Sequence, residues 1–379
     1  MATRDNDDGE SVDQRRRELL GAAGGSLAAS ALGGMTTIAP KRARGASAAT
    51  IRWGIVGTGS IANSMAHMIG LADAADLAAV SSRRMETARA FADEHGIDKA
   101  FDAWSDMTAW DDVDAIYVAT PTSVREEICL AAASNGKHVL GEKPFASLGS
   151  VQRIAAACRA NDVGFMDGTH FVHHPRTAHI RKQAAARIGW PWSLDSAFQF
   201  NLPDRGNIRF NPKLEPMGAI GDAGWYNMRA AVEYLSTGIE IQSVSAYLRR
   251  DGETNAAISG SGVILFDDGS TTTWNCGFDS GAVVMDLRLS GAKGVVSLDN
   301  FLSNDQDGSA SYTHHKGGWG STDRAAVKVE SSQPGAALMF EDFAAMVHDP
   351  EWRESSIHST ERTQRWLDAI WNSALENES

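Results

Sequence analysis

Cysteine is scarce in this chain. The three that occur, Cys129, Cys158 and Cys276, are odd in number and widely spaced. That excludes a disulfide framework and a cysteine-based zinc site, and Cys129 and Cys158 fall in Ala-rich helical patterns that suit small core residues. Positive charge is also in deficit. A net charge of -13 argues against nucleic acid or an anionic membrane surface as a partner. Beyond the N-terminus no apolar window is long enough for a spanning helix. What is plentiful is apolar content, 43% of 379 residues, enough for buried cores in two domains.

Residues 1–48 read as a targeting segment. Arg15-Arg16-Arg17-Glu18-Leu19-Leu20 resembles a twin-arginine export motif. A weakly apolar Gly/Ala run to Met35, a basic patch at Lys41-Arg42-Ala43-Arg44 and small residues from Ala46 to Ala49 follow it. That order predicts a signal peptide cut near Ala48, and hence a periplasmic or extracellular protein with no membrane span after removal. A low-complexity tail is the competing reading.

Ile51 to Val56 reads as a buried strand, followed by Gly57-Thr58-Gly59-Ser60-Ile61-Ala62 and a helix. This is a G-x-G-x-x-A turn in its required context. Gly57 permits the bend, Gly59 lets backbone approach a pyrophosphate, and Ala62 allows close helix–strand packing. Strand and helix patterns alternate up to about residue 170, which implies a parallel sheet covered on both faces. The expected fold class is therefore an α/β Rossmann domain over 50–170. Over 171–379 the expectation is an α+β substrate and oligomerisation domain with a large, mostly antiparallel open sheet. Alternating runs at 243–249, 257–266, 270–278, 282–290 and 294–298 read as its meander, 304–332 as loop, and 336–347 and 360–375 as closing helices.

Four stretches resemble the glucose–fructose oxidoreductase / inositol dehydrogenase / MocA family. They are the Gly57–Ala62 turn, Ala119-Thr120-Pro121-Thr122, Glu142-Lys143-Pro144, and Gly218-Ala219-Ile220-Gly221-Asp222-Ala223-Gly224-Trp225-Tyr226. The resemblance implies hydride transfer between NAD(P) and a sugar or cyclitol carbon, with Gly57, Thr58, Gly59, Ser60, Ile61, Thr120, Pro121, Glu142 and Lys143 around the cofactor. It implies Lys143 beside the reacting hydroxyl, Asp222 holding substrate, and Tyr226 exchanging the hydroxyl proton. Many members carry His at the place of Tyr226. A tyrosine ionises near ~10 in water, and an adjacent ammonium would lower that value. Asp222 as a helix cap and Tyr226 as a core aromatic are the structural alternatives.

Two departures bear on substrate. Arg125 and Arg229 stand where relatives often carry His and Asp or Asn, so both could line a more cationic pocket. After the second strand the chain reads Ser81-Ser82-Arg83-Arg84. No carboxylate is present to claim a ribose 2′-hydroxyl, so Ser82 and Arg83 favour NADP over NAD. His170, His173, His174 and His179 give no tetrahedral set, so no metal is expected.

These readings converge on an exported NADP-dependent oxidoreductase acting on a sugar, with tightly held, recycled cofactor. A simple xylose or glucose dehydrogenase is an alternative. An NAD-dependent exported glycosidase of the same superfamily and a non-catalytic nucleotide- or sugar-binding protein are the others. A sheet needing cover suggests a homodimer or homotetramer.

Overall fold

The computed structural model describes residues 49–305, 307–319 and 323–378. The export motif, the basic patch and the cut near Ala48 lie outside these residues. No described helix is long and apolar enough to cross a membrane.

The first sheet holds β1 (Ile51–Val56), β2 (Ala75–Ser81), β3 (Lys99–Phe101), β4 (Ala115–Val118), β5 (His138–Gly141) and β6 (Phe165–Asp167) in the order β3-β2-β1-β4-β5-β6. All neighbours are parallel. The run Ala-Ile-Tyr-Val of β4 is buried throughout, as expected of a strand covered on both faces. The strand order reverses between β1 and β4, and ligands of such sheets bind outside the carboxyl ends at that switch point. Late in the chain, helix Gly335–Met346 returns to this sheet. Phe340 and Phe343 flank Trp53 with ring centroids 5.0 and 4.7 Å away, contacts worth about 0.5–1.5 kcal/mol each beyond area burial.

The second sheet comprises β7 (Pro191–Asn201), β8 (Ile241–Arg250), β9 (Ala257–Phe266), β10 (Thr271–Gly277), β11 (Asp279–Gly291), β12 (Gly294–Leu298), β13 (Ala310–Lys316) and β14 (Asp323–Val329). Its order is β14-β13-β12-β11-β7-β10-β9-β8. Two expectations fail here. The meander is broken, because β7 lies between β10 and β11 and pairs parallel with β10. The stretch read as loop contains β13 and β14, which pair with each other. One face packs under helices through Leu194, Ile264, Phe266, Trp274, Cys276 and Leu287. All three cysteines are buried and free.

The last helix, Pro350–Glu376, begins ten residues before the expected Thr360. Pro350 stands in its first turn, and the Asp349 carboxylate caps it by accepting from Glu351 N and Trp352 N. An N-cap Asp followed by Pro is a strong start signal.

Candidate active site

The turn after β1 is built as its glycines require. Gly57 has φ 110, and a Cβ there would meet the Ala119 carbonyl oxygen at 2.7 Å. Gly57 N donates to Ser81 O at 2.9 Å, and Ala119 N to Val56 O at 2.9 Å. At Gly59 a Cβ would meet nothing within 4 Å, so the space above the turn is open. The helix Ser60–Leu71 has Gly59 as its N-cap and no side-chain cap. Its first N–H groups are therefore available to an anion. Thr58, Gly59, Ser60 and Ile61 are all at least partly exposed around that opening. Ser82 approaches Thr58, Oγ to Oγ 3.4 Å. Arg83 and Arg84 are exposed beside it, with no ion pair among the described residues.

At the end of β4, Thr120 Oγ1 is buried and lacks a hydrogen-bond partner among the described residues. Pro121 is the N-cap of helix Thr122–Ser134. That helix start is capped from a distance: Glu215 accepts from Thr122 N at 3.0 Å and from Thr122 Oγ1 at 2.6 Å. At the end of β5, Glu142 is buried and accepts from Tyr117 OH at 2.6 Å and from Lys143 N at 3.2 Å. Burial pushes its carboxyl above the ordinary value, against the pull of Lys143 and Tyr117. The open turn, the uncapped helix, the orphaned Thr120 hydroxyl and the absence of a carboxylate after β2 together fit a dinucleotide with a phosphorylated ribose.

Lys143, Asp222 and Tyr226 meet. Lys143 Nζ donates to Asp222 Oδ1 at 2.7 Å and to Asp222 O at 3.0 Å. It also lies 4.7 Å from the centroid of the Tyr226 ring. Burial works against the Lys143 ammonium, but the charges of Asp222, Tyr226 and Glu142 outweigh it and hold Lys143 above its ordinary value. Burial likewise disfavours the Asp222 carboxylate, yet Lys143 and Arg209 draw it well below the usual carboxylate range. Asp222 caps no helix: the helix Gly224–Tyr234 starts from Ala223 without a side-chain cap. Tyr226 behaves differently from the sequence argument. Burial dominates and pushes the phenol up to about 12, with Lys143 pulling the other way. The ammonium moderates the shift rather than reversing it.

The two arginines expected to line the pocket do not. Arg125 is buried and donates to the backbone oxygens of Thr120 and Pro144 and, at 3.2 Å, to Thr122 Oγ1. It ties the ends of β4 and β5 together. Arg229 is buried in ion pairs with Asp167 at 2.6 Å and Glu233 at 3.0 Å. The cation that does reach the site is Arg209, whose Nε and one terminal nitrogen contact Asp222 Oδ2 at 2.7 Å and Oδ1 at 3.0 Å. Sequence reasoning missed Arg209, Glu215 and Tyr117, because nothing in the spacing of a loop or a strand marks them.

The histidines have separate places. His170 lies beside Tyr226, ring centroids 5.8 Å apart, and burial lowers its pKa to about 4, so it is neutral near pH 7. His173 Nδ1 pairs with Asp342 at 2.9 Å. His174 Nδ1 accepts from Arg176 N at the start of helix Pro175–Ile188. His179 packs on Tyr312.

A switch-point dinucleotide cleft followed by a Lys–Asp–Tyr cluster defines a Rossmann oxidoreductase site. Residues 51–169 match the profile of the GFO/IDH/MocA oxidoreductase family with its NAD-binding Rossmann fold, and 180–297 match that family's C-terminal domain. The chain belongs to this family. It is 28% identical to D-xylose 1-dehydrogenase (NADP(+)) 2 of Haloferax volcanii, over 85% of this chain and 97% of that one. It is 30% identical to a dTDP-3,4-didehydro-2,6-dideoxy-alpha-D-glucose 3-reductase of Streptomyces violaceoruber, over 67% and 74% of the two chains. Among solved structures, a 3-ketoreductase from Actinomadura kijaniata in complex with NADP and TDP-benzene shares the fold. Its TM-score is 0.76 at 24% identity, covering 86% of this chain and 98% of that one.

Proposed function

We propose that this chain is an NADP-dependent oxidoreductase acting on a CH–OH or carbonyl carbon of a sugar or cyclitol. The observation that carries this reading is the Lys143–Asp222 pair, 2.7 Å apart, set against the Tyr226 ring at the carboxyl edge of the first sheet. The names of the relatives support sugar-related dehydrogenase or reductase chemistry with NADP.

Bound nicotinamide supplies the two-electron acceptor in oxidation and the donor in reduction. The chain supplies the proton chemistry. In oxidation Tyr226 acts in its deprotonated form: the substrate hydroxyl gives its proton to the phenolate oxygen, regenerating the phenol. In reduction Tyr226 returns a proton to the forming hydroxyl. Lys143 stabilises negative charge on Tyr226 and on the substrate oxygen. Asp222 keeps Lys143 protonated and accepts substrate hydroxyls. Ser82 and Arg83, with no competing carboxylate, hold the 2′-phosphate.

In the finer reading the aldose C1 is oxidised, the protein is exported through the twin-arginine route, and the cofactor stays bound between a donor and an acceptor sugar. Export of folded protein supports retention, because free NADP is scarce outside the cytoplasm. Self-association is supported by the outward face of the second sheet, where Tyr247 and Val263 are exposed. Purified protein, extracted without added nucleotide, should release NADP(H) and should show nicotinamide fluorescence changes on addition of an aldose. Empty protein with freely exchanging NADP would instead mark a plain aldose dehydrogenase. Turnover of chromogenic glycosides without net redox change would mark the glycosidase. Failure to bind either nucleotide would end the oxidoreductase reading.

A further inference from the structure

The proton chemistry above gives no role to Arg209, yet the fold commits a whole segment to placing it. Arg209 sits on the 3-10 turn Ile208–Phe210, in the connection between β7 and helix Gly218–Asp222. The Asn207 side chain caps that turn by accepting from Arg209 N at 3.1 Å. Phe210 anchors it in a small cluster with Ala256 and Ile258. The guanidinium then spans Asp222, with one nitrogen on each carboxylate oxygen. Oδ1, the oxygen that meets Lys143, also accepts from Arg209.

Exposure falls in order along this chain of charges. Side-chain exposure is 32% for Arg209, 13% for Asp222 and 7% for Lys143. Arg209 is thus the solvent-side member, and its remaining terminal nitrogen makes no hydrogen bond among the described residues.

We infer that Arg209 is a positioning residue of the reacting centre: by gripping both oxygens of Asp222 it locks the carboxylate plane against Lys143, on the side from which substrate arrives. This rests on the sugar-oxidoreductase reading above. The physical reason is geometric. A single Lys–Asp hydrogen bond leaves a carboxylate free to rotate, whereas a planar fork bonded to both oxygens fixes it. With Asp222 fixed, two of the three ammonium protons of Lys143 are committed to Asp222 O and Oδ1. The third remains for the Tyr226 side and the substrate oxygen. Without the fork, Asp222 can turn, and Lys143 loses the acceptor that aims it. The guanidinium also adds positive charge near Tyr226 and eases loss of its proton.

The test uses Arg209→Gln and Arg209→Lys in the full chain, with crystal structures and pH–rate profiles for sugar oxidation. In Arg209→Gln, Asp222 should rotate off Lys143. The kcat should fall about 10–100-fold with a smaller change in KM, as for an interaction felt mainly in the transition state. The acidic limb of kcat/KM should move to higher pH, while NADP affinity stays unchanged. Arg209→Lys restores charge without the fork, so it should recover the pH limb but not kcat. Asp222 still seated on Lys143 in the Gln variant would overturn the inference. So would an unmoved pH limb, or full recovery of kcat by lysine. If the wild-type protein turns over no sugar, the preceding functional reading fails, and the crystal structures still decide what Arg209 does.

Discussion

Two ionic clusters bracket one helix, Gly224–Tyr234, and they are made of the same chemistry. Just before its start, Asp222 binds Lys143 and Arg209. Toward its end, Arg229 binds Asp167 and Glu233, and Glu233 binds Arg181. The difference is access. The inner cluster has a sealed centre, with Asp167, Arg229 and Glu233 side chains 2%, 6% and 2% exposed, and only Arg181 at its rim, 24% exposed, reaches solvent. Its remaining lone pairs are taken by hydroxyls: Thr360 donates to Asp167 at 2.6 Å, and Thr169 donates to Asp167 while accepting from Trp225 at 2.7 Å. The outer cluster opens toward solvent through Arg209. A carboxylate sealed and fully satisfied, as Asp167 is, fixes how the helix meets β6, and one graded toward solvent, as Asp222 is, can meet a substrate. Burial and remaining hydrogen-bond capacity, rather than residue type, separate scaffold from site.

Four changes would break or sharpen that contrast. The largest effect is expected for Lys143→Met, which should lower kcat/KM about a thousandfold with NADP affinity retained in a fluorescence titration. Asp222 keeps Arg209 as its partner, so the fold should hold. Turnover near the wild-type rate would remove Lys143 from the chemistry. Arg229→Met removes the shared cation from buried Asp167 and Glu233, leaving Asp167 no ion-pair partner among the described residues and Glu233 only Arg181, and should cost about 3–5 kcal/mol of stability in denaturant unfolding. A loss under about 1 kcal/mol would mean that the inner cluster is not sealed as described. The same pair gives a pH dependence. Asp167 is held below its unfolded value, chiefly by Arg229 against burial, so its stabilising contribution is present above the unfolded carboxylate range and is lost as pH falls below it. Unfolding midpoints of the wild type should therefore drop in acid more steeply than those of a variant lacking the pair. The smallest effect is expected for Arg83→Ala, which should weaken NADP about tenfold, or ~1.4 kcal/mol, and leave NAD nearly unaffected. Equal weakening of both would show that Arg83 does not read the 2′-phosphate.

The sequence made one half of the molecule far more legible than the other. Continuous apolar strands, a Gly-rich turn and Gly-terminated helices are local signals, and they place β1, β2, β4 and β5 of the Rossmann sheet, whereas β3 and β6, three residues each, are too short to show a pattern. The second sheet depends on long-range pairing. Nothing in Pro191–Asn201 says that this strand inserts between β10 and β11, and β13 and β14 hide in polar, Gly-containing sequence. The same limit applies to charge. Lys143, Asp222 and Tyr226 were found through motifs, but whether an arginine faces substrate or core is decided by packing. Arg125 and Arg229 therefore moved from pocket to scaffold, and Arg209 entered unannounced from a loop. The Tyr226 phenol shows a further limit, since the sequence revealed a neighbouring cation but not the burial that outweighs it.

The central claim is that Tyr226, beside the Lys143–Asp222 pair, handles the substrate proton. The most direct measurement is kcat/KM for sugar oxidation against pH, in the wild type and in Tyr226→Phe. Burial holds the phenol up near 12, so its reactive deprotonated form grows as pH rises. The wild-type rate should climb through the alkaline range, while Tyr226→Phe should be about a hundredfold or more slower and lack that climb. A flat wild-type profile, or the same climb in Tyr226→Phe, would contradict the account.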